Sequence, residues 1–111
     1  MKPNKALQML GMAQRAGAVK SGGFMTENCV KDGSAYLIVV AADASDNTRK
    51  QFENMCDFYN VPIRFFKSRE ELGHCIGKEF RASLAVTNEG LAAKILSLID
   101  LEQLAKKDEV L

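Results

Sequence analysis

Only a few places in this chain hold residue types that could do chemistry at a useful spacing. His74 stands beside Cys75, the pair from which a thiolate nucleophile and its base are made. Both fall inside a predicted helix, where neighbours point about 100° apart, so the two side chains diverge. His74 is the single histidine, so no serine–histidine–aspartate relay is possible beyond it. The three cysteines, Cys29, Cys56 and Cys75, are widely spaced and form no Cys-x-x-Cys pair. Neither a zinc site nor a disulfide framework is expected, and reduced cysteine acting as a small core hydrophobe is the plain reading. Asp43 with Asp46, and Glu70 with Glu71, sit where helices are expected to begin. There they complement the positive end of the helix dipole. Gly22-Gly23 lacks the spacing of a phosphate loop. No catalytic residue, metal ligand or cofactor site is expected, and the chain reads as a non-enzyme.

Binding chemistry is better supplied. Gly22-Gly23 precedes a predicted helix and leaves backbone N–H groups open at its positive end, a natural seat for a phosphate. Lys20 and Lys31 flank it in sequence. Phe24 could stack on a base, and Asn28 could offer one polar contact to a base or phosphate. A second segment, Lys78-Glu79-Phe80-Arg81, alternates charge with an aromatic ring. Lys78 and Arg81 suit phosphates, and Phe80, if exposed, would stack on an unpaired base. Each of these residues also has an ordinary reading. Phe24 and Phe80 could be core residues, Lys78 and Arg81 solvated loop charges, and the two glycines merely a tight turn. Arg49-Lys50 and Lys67 with Arg69 read as solvent-facing charge.

These residues need elements to hold them. Asn4 can cap a helix over Lys5–Ala16, with Leu7, Leu10 and Gln14 at helical spacing and small residues elsewhere; Gly17 ends it. Ala18–Ser21 is short and extended, and Phe24–Lys31 is a second helix closing at Asp32-Gly33. Ala35–Ala42 is the clearest strand, apolar on both alternating faces as a strand covered on both sides must be. Ser45 or Asp46 caps a helix to about Tyr59, with Phe52, Met55, Cys56 and Tyr59 as its apolar stripe. Ile63–Phe66 is another strand. Ser68 with Glu71 forms a capping box for a helix to about Ile76. Ala82–Val86 is the last strand. Thr87 or Asn88 then caps a helix from Glu89 to about Ile99, with Leu91, Ile95 and Leu98 facing inward. The alternation predicts an α/β fold, a three-layer α-β-α sandwich around a small mixed four-stranded sheet.

The chain's 111 residues suit one domain, and 47% apolar content suffices for a core. We expect a single domain over residues 1–99 and a charged tail over 100–111, helical or frayed. No apolar run reaches the roughly 20 residues of a membrane span. Met1-Lys2-Pro3-Asn4-Lys5 lacks the apolar stretch of a signal peptide. A soluble, cytoplasmic protein without a membrane partner is therefore expected. The net charge of +1 does not by itself point to nucleic acid, so an RNA-binding face requires basic residues gathered on one side. The sequence does not set the oligomeric state; a monomer is the default.

Several stretches together resemble the L-seven-Ae (kink-turn-binding ribosomal protein) superfamily. They are Leu10-Gly11-Met12-Ala13, Ser21-Gly22-Gly23, Val39 through Ser45, Tyr59-Asn60-Val61-Pro62-Ile63, Glu71-Leu72-Gly73 through Ile76-Gly77, and Ala82 through Val86. Asp43 through Thr48 and Gly77 through Val86 are most similar to its bacterial YlxQ-like branch of ribosomal-protein-like members. The resemblance spans residues from about 4 to 99 and implies an RNA-binding, ribosome-associated accessory protein with structured rRNA as partner. In that family an Asn-Glu-x-x-Lys pattern at the start of the second helix reads guanine edges in tandem G·A pairs. The loop before the last strand covers an extruded nucleotide. Those pattern positions fall on Phe24, Met25 and Asn28, so the amide and carboxylate are missing. The implied RNA contacts are Lys20, Gly22, Gly23, Phe24, Asn28, Lys31, Lys78, Phe80 and Arg81. The same fold also serves as a platform for other proteins, so a protein–protein interaction module, with ribosomal or other RNA-associated partners, is the alternative.

Overall fold

The structure, a computed structural model, describes residues 4–110, with side chains as far as Lys106. The charged start at Met1-Lys2-Pro3 and the last residues of the expected tail lie outside what is described. In chain order the elements are α1 (Lys5–Arg15), β1 (Val19–Ser21), α2 (Gly23–Lys31), β2 (Leu37–Val40), α3 (Asp46–Tyr59), β3 (Ile63–Phe65), α4 (Arg69–Cys75), β4 (Ser83–Val86) and α5 (Glu89–Val110).

The sheet has the order β1-β4-β2-β3. β4 is antiparallel to both β1 and β2, and β2 is parallel to β3, to which α3 is the crossover. The central strands β2 and β4 are buried along their whole length, which explains why both read as continuous apolar runs. Register assigns the faces. Lys20, Ala85, Ile38 and Ile63 form one row across the four strands. Ile63 lines a hollow with Cys56 and Asp57 of α3, so this row projects toward the layer made by α2 and α3. The next row, Ser21, Leu84, Val39 and Arg64, projects the other way, where Arg64 Nε donates to Asp100 of α5 at 2.7 Å. That second layer is α1, α4 and α5, with α1 packed on both of the others.

Local chemistry starts and stops the helices as expected. Asn4 Oδ1 accepts from Leu7 N, Ser45 Oγ from Thr48 N, and Asn88 Oδ1 from Leu91 N. Ser68 and Glu71 make the reciprocal capping box. Asn60 closes α3 in the left-handed region at φ 58°. Two helices turn differently from their expected stripes. α1 buries Ala6, Leu10, Gly11 and Ala13, because small residues let it approach α4 and α5 closely; Leu7 and Gln14 sit on the flank. α5 buries Ala92, Ile95 and Ile99, with Leu91 and Leu98 at the margin. α5 also runs unbroken past residue 99 to Val110. Its extension is tied down at Gln103, whose Nε2 donates to Phe65 O at 2.8 Å.

Candidate nucleic-acid interface

The start of α2 is set by the edge strand before it. β1 ends at Ser21, and Gly22 turns the chain with φ 91° and ψ 152°, a backbone state that a side chain would strain. The Gly22 N–H donates to Ser83 O at 3.2 Å, which pins the turn to the start of β4. Thr26, wholly buried one turn into α2, directs its hydroxyl at the same carbonyl at 3.4 Å. No side chain caps α2, so the N–H groups of its first turn remain open to a ligand. Phe24 and Phe80 could both have been core residues, yet they are 76% and 60% exposed. Met25 is also exposed.

The 77–81 loop is held against this start. Lys78 N donates to Gly73 O at 2.8 Å and Arg81 N to Arg69 O at 3.0 Å, so α4 is the loop's platform. The Arg81 guanidinium then reaches across to β1, where its Nε donates to Ser21 Oγ at 3.1 Å. Its NH1 donates to Phe80 O at 2.6 Å. Two hydrogen bonds thus hold a partly exposed cation beside the first turn of α2, in a fixed geometry that could take a phosphate. Lys20 lies across β1 from it, since residues 20 and 21 project from opposite faces of the strand.

Most of the expected contact residues therefore share one edge. Lys20, Gly22, Gly23, Phe24, Phe80 and Arg81 surround the start of α2, and Lys78 stands exposed on the adjoining loop. Asn28 follows Phe24 one turn along the exposed stripe of α2. Lys31 is different. It ends α2, eight residues or about 12 Å along the axis from Gly23, and its Nζ is paired with Glu27 at 2.7 Å. The Glu27 carboxylate, and more weakly Tyr59, raises its pKa. Lys31 borders the open start of α2 in sequence only. Met25 is the exposed neighbour that a search for charged and aromatic residues passed over. Its place beside Phe24, at the second position of the family pattern, was the signal for it.

Among the described residues no group of three His, Cys, Asp or Glu side chains could hold a metal ion. Cys29 and Cys56 are buried and Cys75 is half-buried. Burial pushes the Cys56 and Cys75 thiols up to about 11, away from reactivity. No helix of the described residues is long and apolar enough to cross a membrane.

Fold and surface together define a small α-β-α domain with an open helix start beside a braced loop at one edge. The chain belongs to the Ribosomal protein L7Ae/L30e/S12e/Gadd45 family, whose sequence profile matches residues 4–96. It is 41% identical over 92 residues to the RNA-binding protein YlxQ of Bacillus subtilis (strain 168), covering 83% of this chain and 92% of that one. To the large ribosomal subunit protein eL30 of Methanoregula boonei it is 37% identical over 91 residues, covering 80% and 90%. A solved protein of unknown function from Bacillus halodurans C superposes with a TM-score of 0.86 at 32% identity, covering 88% of this chain and 99% of that one. The Giardia lamblia 15.5kD RNA binding protein shares the fold at a TM-score of 0.73 and 22% identity, covering 86% and 84%.

Proposed function

We propose that this protein is a cytoplasmic, ribosome-associated accessory protein, not an enzyme, that binds structured RNA and is seated on rRNA through the start of α2 and the 77–81 loop. One observation carries the reading: Arg81 is braced by Ser21 beside an uncapped helix start, with Phe24 and Phe80 exposed around it. Amides and cations there take phosphates, while the two rings take unstacked bases. The relatives support the same class, since two are named for RNA binding and one for the large ribosomal subunit. Phe24 and Met25 stand where the family reads guanine edges, so stacking replaces edge pairing in this site.

The test is binding of the purified protein, at two salt concentrations, to bulged hairpins transcribed from rRNA and to a simple kink-turn hairpin. The expected result is tight, salt-sensitive binding to an rRNA hairpin and weak binding to the simple kink-turn. Single-stranded contacts contribute a log–log slope of about −0.7 per phosphate. Binding to neither RNA would contradict the function. It would favour a protein partner on the same fold, a reading that the net charge of +1 and the missing amide and carboxylate also favour.

A further inference from the structure

α2 and α3 lie side by side on one face of the sheet and begin at the same edge. The turn before α2 is pinned to Ser83 O, and Ala41, just before α3, donates its N–H to Ala82 O at 2.9 Å. The outer surface of this pair is sorted by chemistry. On α3 the charged side chains gather on the flank toward β3: Asp46, Arg49, Lys50 and Glu53 line a hollow with Phe65, and Asp57 lines another with Ile63. Asn47, Gln51, Asn54 and Phe58, at i, i+4, i+7 and i+11, form a separate exposed stripe with no charge. Helical geometry sets this stripe between the charged flank and α2. It ends on Phe58, 78% exposed and packed edge-on against Tyr59 with ring centroids 4.9 Å apart.

Carboxamides and exposed rings are poor partners for phosphates and good ones for bases: amides pair with base edges, and rings stack on base faces. We infer that an unpaired RNA strand leaving the element seated at the start of α2 runs across the α2–α3 face, bases inward, from Phe24 past Asn28 and Asn54 to Phe58. This rests on the RNA-binding function proposed above and is continuous with its site through the exposed stripe Phe24 and Asn28. The phosphates of such a strand point to solvent, so the face needs no cations. It adds affinity without adding to the salt dependence.

The experiment uses the tightest-binding bulged rRNA hairpin of the panel above, made plain and with an unpaired extension of ~6 nucleotides at either end. The full chain is titrated with each. One extended RNA is expected to bind about tenfold tighter than the plain hairpin, with an unchanged log–log salt slope. Phe58→Ala with Asn54→Ala removes that gain and leaves the plain hairpin's affinity alone. Both side chains are exposed, so the fold is kept. Equal affinity for plain and extended RNA overturns the strand path and leaves the face to a protein partner. A gain that survives in the double variant overturns it too, as does a gain that steepens the salt slope. If the plain hairpin itself is unbound, the proposed function fails first and the strand falls with it.

Discussion

A Cβ atom built on Gly73 would lie 2.5 Å from the carbonyl oxygen of Glu79 and 2.8 Å from the amide nitrogen of Phe80. The candidate RNA loop thus rests directly on the backbone of α4, and only a residue without a side chain permits it. Gly73→Ala must push the loop outward or shift α4. Expected is a loss of about 1–3 kcal/mol in stability, measured by denaturant titration. RNA affinity should fall further than stability explains, because Phe80 and Arg81 move with the loop. Unchanged stability would mean that the loop gives way freely.

Charge reversal separates the site from the fold. Lys78→Glu with Arg81→Glu should abolish RNA binding while the circular-dichroism spectrum and unfolding midpoint stay near those of the parent. Arg81 gives up its hydrogen bond to Ser21, but neither side chain is buried in the core. Phe24→Ala should change stability by less than about 0.5 kcal/mol and weaken RNA binding by about 1–3 kcal/mol. A double reversal that still binds RNA would dispose of the site.

The thiols give a pH signature. Burial holds Cys56 and Cys75 protonated up to about 11, and Cys75 Sγ also donates to Leu72 O at 3.1 Å. A pKa higher folded than unfolded means the native state binds the proton more tightly. Its stabilising contribution is present in full below about pH 8.5, the free-thiol value, and is lost as pH rises toward 11. The unfolding midpoint should fall across that window. Replacing both cysteines with alanine should flatten the decline relative to the parent, though it lowers the midpoint overall. Parallel pH curves for the two proteins would contradict the assignment.

Truncation after Leu101 tests the extension of α5. It removes Glu102, whose Oε1 accepts from Asn4 at 2.6 Å and pairs with Lys67 at 3.1 Å, and Gln103, which holds Phe65 O. The truncated chain should be less stable by about 1–3 kcal/mol, read from thermal unfolding. Unaltered stability would mean that these contacts are exchanged for water at no cost.

Much of this molecule is legible in the amino-acid order. Period and capping are local, so the helices and strands follow from Asn4, Ser45, the Ser68–Glu71 box and the apolar runs of β2 and β4. The open start of α2 was readable from Gly22-Gly23, because neither glycine carries a side chain that could cap the helix. Other features depended on what lies across the fold. Phe24 and Phe80 look like core residues by type, and only the position of each on its element exposes them. Lys31 neighbours the glycines in sequence yet stands at the other end of α2, since a helix carries its last residue about 1.5 Å further away at every step. Arg81 meets Ser21 because β1 and β4 are adjacent antiparallel strands, a pairing that joins residues 60 positions apart. The anchoring of α5 by Gln103 likewise required β3 to be at the sheet edge, within reach of a helix whose own residues carry no sign of it. Local chemistry decided which elements form. Long-range packing decided which of their side chains share a surface, because that depends on contacts absent until the chain closes on itself.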